Sequence, residues 1–127
     1  ISEAYDHGIR NFISGFALGI DLMAAQLVQS LKCDLPGISL TAAIPFEGQA
    51  ERYNIYDKRV YRRLLELADK VIVLSDYYYP RCFLDRDKFM VENASYLIAY
   101  YDGREKGGTY YTVKKARARG IPIINVY

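Results

Sequence analysis

Histidine occurs once in this 127-residue chain, at position 7, and cysteine twice, at Cys33 and Cys82. The two cysteines lie far apart and neither sits at a metal-ligand spacing, so no zinc site is expected. Such cysteine usage makes a reducing, cytoplasmic compartment the default. No Ser/His/Asp constellation appears, and His7 is remote in sequence from every candidate loop. No apolar run approaches the roughly 18–20 residues of a membrane helix. The N-terminus carries acidic residues and has no apolar segment of the kind a secretory signal needs. An excess of one charge is also missing. Seventeen Lys and Arg against fifteen Asp and Glu leave a net charge of +2, so composition alone does not point to nucleic acid. There is no internal repeat, low-complexity tract or linker, and residues 1–127 suit one domain with one core. No motif calls for a cofactor.

What is present is an alternation of short apolar runs and amphipathic stretches. Residues 1–8, ISEAYDHG, resemble the last turns of a helix, with Ile1, Ala4 and Tyr5 on one face and Gly8 past its end. A helix that short is marginal alone, so an earlier strand and most of a first helix are expected ahead of Ile1. Residues 11–14 form a strand. Ile20, Ala24, Leu27 and Leu31 predict an amphipathic helix over 20–32. DLPG (34–37) is a turn, and 38–44 form a strand stopped by Pro45. A loop then enters a long helix whose buried face is marked by Val60, Leu64, Leu67 and Ala68. Residues 71–75 (VIVLS) predict a strand covered on both faces. A helix over 84–94, with Phe89, Met90 and Ala94 inward, precedes a strand at 96–101. A helix over 109–119 carries Tyr110, Val113 and Ala116, and GIPIINVY closes with a strand. The order implies right-handed crossovers and a Rossmann-like α/β fold, an open, mostly parallel sheet between helices.

In such a sheet ligands bind beyond the carboxyl ends of the strands. Four loops leave those ends: 15–19, 45–53, 75–83 and 102–109. Gly15 and Gly19 in SGFALGID let the backbone approach a ligand, and the N–H groups of the following helix would face an anion. Asp21, in the first turn, caps that helix or hydrogen-bonds a ribose hydroxyl. The plain alternative is a tight strand-to-helix turn. DGREKGGT offers a second anion nest at Gly107, Gly108 and Thr109, or else a mobile loop ended by a helix cap. In PFEGQ, Gln49 can present both a donor and an acceptor to a base or ribose, and Glu47 is a weak candidate general base. Tyr77, Tyr78 and Tyr79 could stack on a base or pack over their own loop. Arg86 either faces a phosphate or pairs with Asp87. Lys114, Lys115, Arg117 and Arg119 either track a nucleic-acid backbone or form a solvated face.

SGFALGID resembles the SG-x-A-x-GID motif of the DprA/Smf family, which binds single-stranded DNA. Over its length the chain more closely resembles the YpsA/YoqJ-type family of bacteria and their phages. FISGFALGIDLMAAQL, AAIPFEGQAERY, LADKVIVLS, FLDRDKFMVENASYLIAYYDG and GGTYYTVKKA carry the likeness in order from residue 12 to 118. Both families belong to the SLOG superfamily of Rossmann-like proteins, related to the LOG phosphoribohydrolases. The resemblance implies a small nucleotide-type ligand, ADP-ribose-like in character, and a sensor-type role. Its site would comprise Ser14, Gly15, Ala17, Gly19, Asp21, Pro45, Gln49, Arg86, Gly107, Gly108 and Thr109.

Certain features depart from that pattern. The family opens with a strand and a G-H-R type motif that is not among these residues. It commonly has R-N where Arg86-Asp87 stands, and Trp where Tyr53 stands. LOG enzymes use PGG-x-GT-x-x-E, whose Glu is catalytic. Here KGGTYYT puts Thr112 at that position, which argues against hydrolysis by the same residues. Cleavage of a nucleotide N-glycosidic bond, with Glu47 as acid or base, is the enzyme alternative. Single-stranded DNA as partner is the binding alternative. No membrane partner is expected, and self-association is open.

Overall fold

The computed structural model describes residues 1–127 and has two compact units, Ile1–Tyr78 and Tyr79–Tyr127. The first unit runs α1 (Ser2–Asp6), β1 (Asn11–Ser14), α2 (Ile20–Leu31), β2 (Ser39–Ile44), α3 (Ile55–Leu67) and β3 (Lys70–Val73). Its three strands are all parallel in the order β1-β2-β3. Asn11 is in register with Ser39, and Thr41 with Lys70. The second unit runs α4 (Cys82–Glu92), β4 (Leu97–Ala99), α5 (Gly107–Arg119) and β5 (Ile123–Asn125). There β4 pairs with β5, again in parallel. The fold is α/β with parallel strands throughout, as the alternating pattern requires.

The core of the first unit gathers Phe16, Leu22, Ala25, Val28, Leu40, Ala42, Ile44, Tyr61 and Leu64. Full burial of each large apolar side chain contributes about 1.5–3 kcal/mol. The stripe of α2 that enters this core is Leu22, Ala25 and Val28, not the expected one. Ile20 and Leu27 are exposed, while Ala24 and Leu31 are half-buried. A helix apolar on most of its circumference has two candidate stripes, and the sequence pattern selected the wrong one. In α3 the buried positions are Tyr61 and Leu64. Leu67 is exposed, and Ala68 leaves the helix in an extended conformation. Asn54 starts α3 by accepting the Asp57 N–H at 2.8 Å, a side-chain cap of the usual kind.

β3 also differs from expectation. It lies at one end of its sheet, with Val71 42% and Val73 41% exposed. A continuous apolar run is therefore not a sign of two-sided cover here: Val71 and Val73, alternate residues on one face of the strand, are left open to solvent. In the second unit α4 starts at Cys82 and buries Cys82, Arg86 and Val91, leaving Phe89, Met90 and Ala94 half-buried. α5 starts at Gly107, two residues before the expected boundary, so both loop glycines belong to its first turn. Its other end is stopped by Gly120, whose left-handed backbone (φ 71°) is inexpensive for glycine.

Candidate functional site

The turn SGFALGID lies at the carboxyl end of β1 and is built around one strained residue. Phe16 is the chain's one non-glycine residue at positive φ, 59°. Such a conformation in a bulky residue costs on the order of 1–3 kcal/mol and needs surroundings that enforce it. They are visible. The Phe16 ring is fully buried and meets Tyr61 edge-on at 5.8 Å. Its N–H donates to the Ser14 hydroxyl at 3.2 Å, and its carbonyl accepts from the Tyr53 hydroxyl at 3.3 Å. The buried Ser14 hydroxyl donates in turn to the Asp21 carbonyl at 2.8 Å. Gly19, at φ 90° and ψ −125°, supplies a conformation that side chains resist and opens α2.

Gln49 holds this turn from the β2–α3 loop. It is 8% exposed. Its amide nitrogen donates to the Gly15 carbonyl at 3.1 Å, and its oxygen accepts from the Tyr61 hydroxyl at 3.1 Å. The side chain expected to meet a base thus ties the turn to α3. Asp21 accepts the Ala17 N–H at 3.4 Å, so the first-turn carboxylate faces the turn's own backbone. Pro45 is fully buried at the end of β2. Glu47 is exposed beside it and borders a cleft of about 410 Å3 with Glu51, Lys58 and Arg62. In the tyrosine loop Tyr78 meets Phe46 edge-on at 5.6 Å. The first unit therefore brings together Ser14, Gly15, Ala17, Asp21 and Gln49.

The second unit brings together a different set. Beyond the carboxyl ends of β4 and β5 lies a cleft of about 420 Å3. The first turn of α5 (Gly107, Gly108, Thr109) forms one wall, and Tyr100, Tyr101, Asp102, Arg104, Lys106 and Tyr127 line the rest, with Arg104 and Asp102 paired at 3.3 Å. The loop around it is ordered by one amide. The Asn125 side chain accepts N–H bonds from Tyr101 and Tyr127, both at 3.1 Å, and donates to the Tyr101 carbonyl at 3.0 Å. Tyr100 and Tyr127 lie ring to ring at 4.9 Å, both exposed. α5 has no side-chain cap at Lys106 and no acidic residue in its first turn, although the unpaired N–H groups of a helix start favour a negative charge.

A carboxylate does come close, from α4. The Asp87 Oδ2 would lie 3.4 Å from a Cβ built on Gly108. Its Oδ1 accepts from Arg86 Nε at 2.8 Å, and Arg86 is 5% exposed. Arg86 is thus buried in an ion pair beside the α5 turn. Thr112, one turn further along, donates its hydroxyl to the Gly108 carbonyl at 2.9 Å. Along α5, Lys114 and Lys115 lie over Tyr110 and Tyr111, and Arg119 reaches across to α4, where it donates to the Val91 carbonyl at 2.6 Å.

The aromatic lining of this cleft was not anticipated. Its signal was the Tyr100-Tyr101 pair, which directly follows a strand and precedes the glycine-rich loop. The glycines drew attention to the loop, but an aromatic ring at a strand end is as much a pocket wall as a glycine is a pocket floor.

Parallel strands joined by helices, with clefts beyond the strands' carboxyl ends, define a Rossmann-like α/β protein. A family model named YpsA, the YspA SLOG family, matches residues 1–120, and the chain belongs to that family. It is 33% identical over 106 residues to a UPF0398 protein of Bacillus pumilus (strain SAFR-032), covering 82% of this chain and 56% of that protein. To a UPF0398 protein of Bacillus cereus (strain B4264) it is 29% identical over 117 residues, 91% of this chain and 64% of the relative. The chain thus spans a little over half to just under two thirds of the length of these relatives. No helix is long and apolar enough to cross a membrane.

Proposed function

We propose that this chain binds a small nucleotide-type ligand, ADP-ribose-like in character, and acts as a sensor rather than a hydrolase. The observation that carries this reading is the cleft at the start of α5, where a glycine turn, Lys106, the Arg104–Asp102 pair and two exposed rings converge. The N–H groups of Gly107, Gly108 and Thr109 would donate to a phosphate oxygen, as uncapped helix starts do. Lys106 would supply positive charge, with Arg104 beside it turning from Asp102 to the phosphate, and Tyr100 with Tyr127 a surface for a base. Family membership supports a nucleotide-related function at this level. In the first unit, Ser14, Gly15, Ala17, Gly19, Asp21 and Gln49 would shape a second backbone turn of the same kind. Glu47 is exposed to solvent, and no observation favours it as a general acid.

The test is a thermal-shift panel of ADP-ribose, NAD, AMP, ATP and a short single-stranded DNA. A ligand present at about 100 times its Kd should stabilise the protein by about 2.7 kcal/mol. Gly108→Val, which would crowd the α5 turn against Asp87, should abolish the shift. A shift from DNA alone would move the function to a single-strand binder. No shift from any small nucleotide would overturn the reading for that panel.

A further inference from the structure

Positive charge is not spread evenly over this chain. Residues 52–63 hold five of its seventeen Lys and Arg (Arg52, Lys58, Arg59, Arg62 and Arg63) and one of its fifteen Asp and Glu, Asp57. That is a net charge of +4 in a chain whose total is +2, so the remainder is negative. None of the five cations makes an ion pair within the chain, and Asp57 is already engaged, accepting from the Asn54 amide at 2.9 Å. The basic run of α5 differs. There Lys114 and Lys115 lie over tyrosine rings, and Arg119 is held by the Val91 carbonyl.

α3 sorts its cations by the helical period. Tyr61 and Leu64 turn into the core. Tyr56, Arg59 and Arg63, at i, i+3 and i+7, form one stripe on the solvent side, with Tyr56 72% exposed. Lys58 and Arg62, at i and i+4, are neighbours on a second stripe and line the cleft of about 410 Å3. Glu47 and Glu51 line the same cleft, and Val71 and Val73 give it an apolar wall.

Uncommitted cations at this density call for a polyanion. Four of the five are Arg, whose guanidinium meets phosphate oxygens two at a time and also stacks on flat rings. The rest of the surface narrows the choice. A partner that is negative throughout, such as an anionic lipid layer or an acidic peptide, is opposed by Glu47 and Glu51 where Lys58 and Arg62 would draw it in. A nucleic acid instead alternates phosphates with sugars and bases. A ribose 2′-hydroxyl can donate to a carboxylate, and deoxyribose has no such group. An exposed tyrosine and an apolar cleft wall suit unpaired bases, which a duplex keeps inside its stack.

We propose that the outer face of α3 and the cleft beside it bind single-stranded RNA. Arg52, Arg59 and Arg63 follow the phosphates, and Tyr56 stacks on a base. Lys58 and Arg62 take a phosphate at the cleft, where Glu47 and Glu51 accept from ribose hydroxyls. The site lies within the first unit and does not rest on the ligand reading of the α5 cleft.

Fluorescence anisotropy of a labelled RNA dodecamer of mixed sequence tests it with the whole chain. If about five phosphates are met, log K should fall with log salt at a slope of about −3.5, roughly 100-fold between about 50 and 200 mM. Arg59→Glu/Arg63→Glu should weaken binding at least about tenfold and flatten that slope. Tyr56→Ala should cost about tenfold. Lys114→Glu/Lys115→Glu, on α5, should change nothing. DNA of the same sequence should bind several-fold more weakly, and Glu47→Ala/Glu51→Ala should erase that difference. All of these side chains are exposed, so the variants should fold, which circular dichroism checks. A dodecamer that fails to bind at low salt would overturn the proposal, as would DNA or duplex RNA bound as tightly. Capture of phosphatidylserine vesicles in preference to RNA, or a loss caused by the α5 variant and not the α3 variant, would do the same.

Discussion

Replacing Gln49 with leucine separates a structural role for that residue from a ligand-reading one. The substitution puts an apolar side chain of similar bulk in a site 8% exposed. It removes a 3.1 Å donation to the Gly15 carbonyl and a 3.1 Å acceptance from the Tyr61 hydroxyl. Each buried bond contributes about 1 kcal/mol net, and a group that loses a partner inside the protein adds to the loss. The expected cost is therefore about 2–3 kcal/mol, a fall in Tm of about 6–12 °C for a chain of this size. The chain has no tryptophan, so melting is followed by far-ultraviolet circular dichroism. Tyr61→Phe removes one of the two bonds and should cost about 1 kcal/mol. Because that bond is shared, the double variant should cost about 1 kcal/mol less than the sum of the singles. If Gln49 instead served to meet a base, its loss would weaken ligand binding and leave Tm alone. A Gln49→Leu cost below about 0.5 kcal/mol, or simple additivity with Tyr61→Phe, would refute the reasoning.

Asp87→Asn keeps the shape of the side chain but removes the negative charge beside the first turn of α5. AMP should then bind several-fold more tightly by calorimetry, and an unchanged or weaker affinity would show that the carboxylate does not oppose phosphate there. Asp69 accepts from Lys32 Nζ at 2.7 Å and from the Leu40 N–H at 2.8 Å, and these bonds, that to Lys32 first, hold its carboxyl below its ordinary pKa. A depressed folded value means that the contribution is present above the unfolded pKa and is lost as pH falls through the folded one. Urea midpoints of wild type and Asp69→Asn should therefore differ near neutrality and converge below pH ~4. The difference should stay under about 1 kcal/mol, because the pair is partly exposed; a gap that persists in acid would point to packing instead.

Much of the fold was legible because the chain alternates two periods. β1 over Asn11–Ser14 and the start of α2 at Ile20 fall where the pattern puts them. The misses have physical causes. α2 is apolar around most of its surface, so periodicity could not choose between the Ile20/Leu27 and Leu22/Ala25/Val28 faces; contact with the strands chose. The run VIVLS is apolar enough for a central strand, but it takes an end position, and strand order is a long-range property that no local window contains. The α5 boundary was set late because glycine is read as a loop residue. Yet a helix start tolerates glycine well, its first N–H groups having no partner within the helix.

The candidate site divides along the same line between local and non-local. Local signals found the two glycine turns, and the structure puts both at the carboxyl ends of strands. What they could not give is the partner of each backbone group. The Ala17 N–H is already met by Asp21, four residues on, and the α5 turn has the Asp87 carboxylate beside Gly108, from some twenty residues back on another helix. The first pairing is a short-range habit of acidic residues at helix starts and could have been anticipated; the second depends on how α4 packs against α5 and could not. A glycine-rich turn read from sequence is therefore a statement about backbone access, not about charge. In the α5 cleft the phosphate-accepting geometry and an internal carboxylate stand side by side, with Arg86 buried beneath the carboxylate to balance it. A ligand there meets two carboxylates, Asp87 paired with Arg86 and Asp102 paired with Arg104, so Lys106 and stacking of its own ring must supply the attraction. That requirement favours a molecule with both a base and a phosphate over free phosphate alone.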